Sequence, residues 1–178
     1  MHIKTAAELL EGGVRARWED RATVDLAARR VLAAVLEHVV AHGIAPGARD
    51  VGALLPDLGL DAVEAALHRL DAADLLLLDD GRVTLAYPFA ARPTAFEVVL
   101  LRDGTRRWAC CAIDALGIPA LLDEGVRIEA SCHDCGEPLA IGVTPSGPIA
   151  SEGSAAEPGI MVWVGEREQL RAKACDGL

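Results

Sequence analysis

The sequence predicts an α+β fold with helices in its first half and strands in its second half. Apolar residues recur at helical spacing early in the chain, whereas later segments alternate between apolar and polar residues and are separated by Gly, Pro and Asp. A hydrophobic content of 52% with only 3% aromatic residues indicates a folded core built from Ala, Leu and Val. The 178 residues are enough for one well-buried domain or for two small lobes that share a core.

The first predicted helix covers residues 23–42, where apolar side chains recur at i, i+3, i+4 and i+7. Thr23 and Asp25 are suitable N-terminal capping residues, and Gly43 is a natural stop. We therefore expect an amphipathic helix whose apolar face packs into the core.

Two further helices are predicted, one within residues 48–58 and one over residues 60–75. The latter opens with Asp61 and has Glu64 three residues later, which predicts a capping box led by an aspartate.

A β-hairpin is predicted after the third helix, because residues 75–88 alternate around the turn sequence Asp79-Asp80-Gly81. Three helices followed by a two-stranded wing is the winged-helix pattern, which often places its third helix in the major groove of DNA. That helix offers Arg69 and His68 against four acidic residues, and the net charge of −10 repels phosphate. We therefore favour a structural scaffold over a DNA-binding lobe.

The second half predicts strands around one further helix. Residues 96–116 indicate a strand, a turn at Asp103-Gly104 and a helix that starts near Trp108. Residues 125–149 indicate two strands joined by a cysteine-rich turn, and residues 159–166 indicate another strand. The segment before that last strand is rich in Gly, Pro, Ser and Ala and is expected to be a loop.

The chain shows no stretch of about 18 apolar residues, and its N-terminus lacks the apolar core and cleavage site of a signal peptide. We therefore expect neither membrane insertion nor secretion, and we place the protein in the cytoplasm. In that reducing compartment the five cysteines are expected to be thiols for metal binding or nucleophilic chemistry rather than disulfides.

One segment, WACCAIDALGIPALL at residues 108–122, combines chemically active residues with an apolar helical pattern. On a helix, Cys111 and Asp114 stand at i and i+3 and share one face. A thiolate is a soft metal ligand and a strong nucleophile, while a carboxyl group can carry a proton to a leaving group. The pair is therefore suited to binding a soft metal and protonating a group attached to it.

Three segments, WACCAIDALGIPALL, RIEASCHDCGEPLAIGVTPSG and AAEPGIMVWV, resemble the core of the organomercurial (alkylmercury) lyases in residue pattern and in order. The resemblance covers roughly residues 96–164 and concerns only the fold before that. In that family a winged-helix-like lobe precedes a mixed β-sheet that carries the site. The resemblance therefore implies an N-terminal extension (1–22), a winged-helix-like three-helix lobe (23–88) and a lyase-like core (89–178) made of a mixed β-sheet with a site-bearing helix.

By position in these segments, the resemblance implies that Cys111 is the first catalytic cysteine, Asp114 the catalytic aspartate and Cys132 a structural cysteine. Cys175 is the candidate for the second catalytic cysteine, although its alignment requires a shift of one residue. The family continues beyond that cysteine, whereas this sequence stops at CDGL, so we expect a divergent member with a shortened C-terminus. Position 110, an aromatic residue in the family pattern, is a cysteine here.

The source of the second thiol is open at this point: it could be Cys175, Cys110 or the CHDC turn formed by residues 132–135. Cys110 is less favoured because neighbouring residues on a helix point about 100° apart. Cys132 and Cys135, followed by Gly, form half of a tetrahedral zinc site, and His133 or the cysteines at 110 and 111 would have to supply the other half. The alternative is a solvent-facing turn without a metal.

If the activity follows the resemblance, the reaction is protonolysis of a carbon–mercury or related carbon–metal bond. Cys111 would bind the metal, Asp114 would relay the proton, and Cys175 would chelate the released Hg(II) until external thiols remove it. No cofactor is required, and the expected metals are mercury as substrate and product, with copper or zinc as other ions the thiols could bind. The expected partners are a small organometallic substrate and low-molecular-weight or protein thiols, with no nucleic acid and no membrane. The alternative is a non-catalytic thiol protein that sequesters or senses one of these metals.

Overall fold

The computed structural model describes residues 24–149, and within that range three helices precede the first strand. The helices are α1 (Leu26–His42), α2 (Ala48–Leu54), α3 (Leu60–Ala72) and α4 (Ala112–Leu122). The strands are β1 (Leu76–Asp79), β2 (Arg82–Ala86), β3 (Phe89–Ala90), β4 (Phe96–Leu100), β5 (Arg106–Ala109), β6 (Val126–Ser131), β7 (Pro138–Thr144) and β8 (Gly147–Pro148). The α+β class predicted from the sequence is confirmed.

None of the helices in this range is both long enough and apolar enough to cross a membrane.

The first helix begins and ends where its capping residues predict. The Asp25 side chain accepts a hydrogen bond from the backbone N–H of Ala28 at 2.8 Å, and this satisfies one donor of the first turn. Gly43 ends the helix in the left-handed conformation, with φ of 75°, and donates its N–H to the carbonyl of Val39. Asp25 is therefore the cap, and Thr23 lies outside the described residues.

The third helix starts differently from the prediction. Gly59 occupies the N-cap position and makes no side-chain capping bond, so the capping box predicted for Asp61 and Glu64 is wrong. The helix also ends at Ala72 rather than near Leu75, because Asp74 adopts a left-handed conformation with φ of 55°.

The predicted hairpin is present and joins β1 to β2. Its turn places Asp80 and Gly81 at positive φ, 48° and 71°, as expected for the tight turn that matches strand twist. The order of three helices and a hairpin agrees with the winged-helix pattern, and the winged-helix assignment itself stays a prediction.

The eight strands of the described range form one sheet in the order β1-β2-β3-β5-β4-β6-β7-β8. Each neighbouring pair is antiparallel, so the expectation of a mixed sheet is corrected for this part of the chain. Short connections such as the Asp103-Gly104 turn between β4 and β5 permit only antiparallel neighbours, since a parallel pair needs a long crossover. The short strand β3 pairs with both β2 and β5 across the predicted boundary at residues 88 and 89, and that division into domains stays a prediction.

One hydrophobic core lies between the helices and the sheet. Its fully buried members come from both predicted lobes, among them Val31, Leu70, Val98, Ile118 and Val126. Burial of large aliphatic side chains stabilises the fold by about 1.5–3 kcal/mol each, an upper bound because the unfolded chain is itself partly compact.

Arg107 on β5 links the sheet to the end of α1. Its side chain is buried, and its guanidinium donates to the carbonyl oxygens of Val40 and Ala41, each at 2.8 Å, and to that of Arg106 at 2.7 Å. Val40 and Ala41 lie in the last turn of α1, where carbonyl groups lack helical partners and the helix dipole is negative. A buried cation is tolerated here because carbonyl oxygens surround it.

Candidate functional site

The candidate site lies where β5 ends and α4 begins. Trp108 belongs to the strand, since it pairs with Ala90 on one side and with Glu97 on the other, so the predicted helix start near Trp108 is wrong. Pairing with distant strands extends β5 to Ala109, and these contacts are invisible to a local helical pattern. Cys110 and Cys111 therefore form the short link between strand and helix.

Two residues hold the end of β5 in place. The backbone N–H of Cys110 donates to the carbonyl of Pro88 at 3.0 Å. The hydroxyl of Thr94 donates to the carbonyl of Ala109 at 2.6 Å and accepts from the N–H of Phe96 at 3.1 Å. The backbone leading into Cys111 is thus fixed on both sides by the neighbouring chain segments.

Cys111 and Asp114 cap the first turn of α4. Cys111 is the N-cap residue in extended conformation, and its sulfur accepts a hydrogen bond from the backbone N–H of Asp114 at 3.4 Å. The thiol in turn donates to the carboxylate Oδ2 of Asp114 at 3.0 Å. The arrangement has the spacing of a capping box, with a thiol in place of the usual hydroxyl and a direct contact between the two side chains.

The thiol of Cys111 keeps its proton at neutral pH. Its pKa is raised to about 12, mainly by burial and further by the hydrogen bond to Asp114 and the negative charge of that carboxylate. The backbone N–H groups of Asp114 and Ile113 lower the pKa, but they do not offset these causes. In the resting protein, the proton therefore sits on sulfur and points at the carboxylate.

Cys110 has different surroundings from Cys111. It lines a cavity of about 140 Å³ together with Thr84, Arg92 and Thr94, and the lining does not include Cys111. Because both cysteines precede the helix, the argument from helical angles does not apply to them.

The cysteine-rich turn joins β6 to β7, as predicted. The pKa of Cys132 is lowered by hydrogen bonding from the backbone N–H groups of Cys135 and Asp134 and from the side chain of Cys135. Both cysteines are free thiols; Cys132 is half-buried and Cys135 is exposed. The two thiols therefore meet across one turn.

A tetrahedral metal site is not assembled within residues 24–149. No group of three or more His, Cys, Asp or Glu side chains in this range is placed to hold one ion, so neither His133 nor the cysteines at 110 and 111 complete the predicted zinc site. Cys175 and the strand predicted at residues 159–166 lie outside the described residues. The structure thus brings together Cys111 with Asp114 and Cys132 with Cys135, and it describes no contact between the two pairs.

Sequence reasoning did not single out Thr94 and Pro88, the two residues that contact the backbone at the end of β5. The hydroxyl of Thr94 contacts the carbonyl of Ala109, and the carbonyl of Pro88 contacts the N–H of Cys110. Each residue therefore acts on a backbone group that is distant in sequence. A threonine and a proline in a connecting segment carry no local signal of that role. Their importance follows only from the three-dimensional contact with the end of β5.

Sequence comparisons link this chain to one family. The profile described as "MerB: Alkylmercury lyase" matches residues 89–178, half of the chain. Alkylmercury lyases from Bacillus cereus and Clostridium butyricum are each 34% identical over 118 residues, which is 66% of this chain and 51% of those proteins. The alkylmercury lyase of Staphylococcus epidermidis is 31% identical over 121 residues. The chain spans about half the length of the curated relatives it matches.

A solved structure has the same fold. The crystal structure of the mercury-bound form of MerB2 superposes with a TM-score of 0.64, covering 76% of this chain and 65% of that one. Its sequence identity is 18%, so this likeness concerns the fold alone.

Proposed function

Because the chain belongs to the alkylmercury lyase family, we propose that it cleaves a carbon–mercury bond, or a related carbon–metal bond, by protonolysis. The substrate would be a small organomercurial carried as its thiolate complex. The residues assigned to the reaction are Cys111 and Asp114, with Cys175 as a further metal ligand.

The hydrogen bond from the Cys111 thiol to the Asp114 carboxylate supports this proposal most directly. Protonolysis needs a soft ligand for the metal and a proton for the carbon atom, delivered at the same place. The thiol of Cys111 supplies both the soft sulfur ligand and the proton. The carboxylate of Asp114, 3.0 Å from the sulfur, can accept the proton when the sulfur binds the metal. Catalytic groups whose pKa is displaced by burial and by a charged partner are typical of active sites.

The proposed step balances without a cofactor. The sulfur of Cys111 forms a bond to mercury, which acidifies the thiol, and its proton passes to Asp114. Asp114 then delivers this proton to the carbon atom, the electron pair of the carbon–mercury bond becomes the new C–H bond, and the hydrocarbon leaves. One Hg–S bond has formed, one C–Hg bond has broken, and the product Hg(II) stays bound to Cys111 and to the thiolate that came with the substrate.

Cys175 is proposed as the second protein ligand of the product, in place of the substrate's thiolate. Excess external thiol would then remove Hg(II) from the protein, because thiolates exchange readily on a soft metal. A reducing compartment such as the cytoplasm would suit a chain whose four cysteines in the described range are free thiols. The net charge of −10 disfavours nucleic acid as a partner.

The competing function is that of a non-catalytic metal-binding or metal-sensing protein. A passive metal trap is best served by thiolates of low pKa, whereas the pKa of Cys111 is raised to about 12. A protonated thiol directed at a carboxylate suits proton transfer better than storage. This contrast makes the lyase the preferred proposal.

The test is hydrocarbon release by the reduced, full-length protein. Phenylmercury is incubated with the protein and an excess of a monothiol, and benzene is followed by gas chromatography. We expect release that is lost in Cys111→Ser and in Asp114→Ala. The matched control is Asp61→Ala, which removes an acidic residue from the first turn of another helix, α3, and should leave release unchanged. Mercury binding by the parent protein without benzene would instead support the metal-binding function.

A further inference from the structure

The turn between β6 and β7 has a closed backbone geometry. The N–H of Cys132 donates to the carbonyl of Glu137 at 2.8 Å, and the N–H of Gly136 donates to the carbonyl of Cys132 at 2.9 Å. Gly136 adopts φ of 74°, a conformation that favours glycine. Because β6 and β7 pair right up to this turn, from Val126 to Ser131, the turn is held by the sheet itself.

This backbone geometry brings two thiols together on one turn. Cys132 and Cys135 stand three residues apart on the turn, and hydrogen bonding from the Cys135 side chain is among the causes that lower the pKa of Cys132. The exposed side chain of Cys135 leaves the pair open to small reagents. Because the two cysteines stand three residues apart on one closed turn, they have the spacing of a pair of ligands that bind one ion.

The chemistry of the pair favours an ion that is satisfied by two thiolates. Zinc in proteins almost always takes four ligands, and no group of three or more His, Cys, Asp or Glu side chains is available for one ion within residues 24–149. Soft d¹⁰ cations such as Hg(II) bind two thiolates in a linear arrangement, and thiolates select soft metals. The acidic side chains of Asp134 and Glu137 beside the turn also favour a cation.

The register of the sheet places this turn beside the site at Cys111. Glu97 on β4 pairs with Trp108 on β5 and with Glu129 on β6, so β5 and β6 run in the same direction on either side of β4. Cys111 follows Trp108 by three residues, and Cys132 follows Glu129 by three residues. Since neighbouring strands lie about 4.8 Å apart, the two thiol-bearing segments leave the same end of the sheet at a separation of about 10 Å.

We propose that Cys132 and Cys135 form a second soft-metal site, which binds Hg(II) between two thiolates and receives it from the site at Cys111. The binding is independent of carbon–mercury cleavage, whereas the transfer rests on the proposed function. In the transfer, two Hg–S bonds break and two form. The protons of the Cys132 and Cys135 thiols pass to the two thiolates that release the metal, namely Cys111 and the second ligand of the product, so no oxidant or reductant is needed.

The binding is tested with Hg(II) alone, in a full-length variant in which Cys110, Cys111 and Cys175 are replaced by serine. This variant should retain one equivalent of Hg(II) after gel filtration against excess 2-mercaptoethanol. A further Cys132→Ser or Cys135→Ser change should weaken retention at least ~100-fold, because the second thiol no longer binds within the same molecule. Glu64→Gln, the same change at an exposed residue on α3, is the matched control and should retain mercury.

Three results would overturn the proposal: no mercury retained by the triple variant, equal retention after either cysteine of the turn is removed, or tight retention of one zinc ion. Hydrocarbon release by the parent chain is measured separately. Failure of that assay with intact mercury retention would count against the lyase and against transfer, but not against the two-thiolate site.

Discussion

The thiol of Cys111 donates a hydrogen bond to the carboxylate of Asp114 at 3.0 Å, while the backbone N–H of Asp114 donates to the sulfur at 3.4 Å. The two residues thus serve as the cap of α4 and as a thiol–carboxylate pair at the same time. Because the pair has both roles, some variants should keep the cap of α4 but lose the thiol–carboxylate pair, and others should lose both.

Cys111→Ser should abolish hydrocarbon release with little effect on stability. Serine is among the best N-cap residues, so the free energy of unfolding should change by less than about 0.5 kcal/mol, whereas Cys111→Ala should cost about 1 kcal/mol through loss of the cap. Urea unfolding measures both variants beside benzene release. A serine variant that still releases benzene at the parent rate would contradict the role of Cys111.

Asp114→Asn should make Cys111 more reactive towards alkylation, although it should lower lyase activity. The carboxylate raises the pKa of Cys111 through its hydrogen bond and its charge, so removing the charge lowers this pKa and increases the thiolate fraction. For each pKa unit lost, the thiolate fraction of Cys111 at pH 8 should rise about tenfold. The rate of carbamidomethylation, followed by peptide mass spectrometry, should rise about threefold, because a less basic thiolate is a weaker nucleophile. An unchanged or slower rate would show that burial alone sets the pKa.

The raised pKa of Cys111 also predicts loss of stability at alkaline pH. In the unfolded chain the thiol ionises near its ordinary value of 9.0, whereas the folded protein holds the proton up to about pH 12. The unfolded state therefore binds fewer protons between these values, and the stability contributed by this thiol is present below pH 9 and is lost as pH rises towards 12.

The measurement compares the urea midpoints of the parent and of Cys111→Ser at pH 8 and at pH 10.5, because other groups titrate in both proteins. The parent should lose more stability than the serine variant over this interval. Equal losses in the two proteins would mean that Cys111 does not hold its proton on folding.

Thr94→Val should weaken the site without touching its reactive groups. It leaves the carbonyl of Ala109 and the N–H of Phe96 without the partner they now have, at a cost of roughly 1–3 kcal/mol. Thr94→Ser keeps the hydroxyl and should retain most of the stability. A positioning role predicts a further effect, a changed pH profile of Cys111 alkylation in the valine variant that the serine variant restores. A profile unchanged in the valine variant would mean that Thr94 only stabilises the fold.

Much of the helical part of the fold was predictable because its signals are local. The spacing of apolar residues and the caps at Asp25 and Gly43 define α1, and the Asp79-Asp80-Gly81 sequence defines the hairpin. The start of α4 was misplaced because β5 is fixed by pairing with β3 and β4, which are separated from it in sequence.

The residues of the candidate site could be predicted from the sequence, but their geometry could not. The spacing of Cys111 and Asp114 indicated proximity on one helical face, but their contact comes from the N-cap position, which lies outside the helix. The apolar sequence of α4 suggested burial all round, yet Ile113, Leu116 and Leu121 are exposed while Ala115 and Ile118 are buried. Local pattern alone does not tell which face of such a helix the sheet will cover.

The most direct test of the proposed mechanism is the isotopic composition and rate of methane released from methylmercury in deuterated buffer with excess thiol. The account predicts monodeuterated methane from the parent protein, because the transferred proton starts on the exchangeable thiol of Cys111. It also predicts release below about one hundredth of the parent rate from Asp114→Asn, the loss typical of removing a general acid–base group, with methylmercury still bound at Cys111. Methane released by Asp114→Asn at the parent rate would contradict proton relay by Asp114.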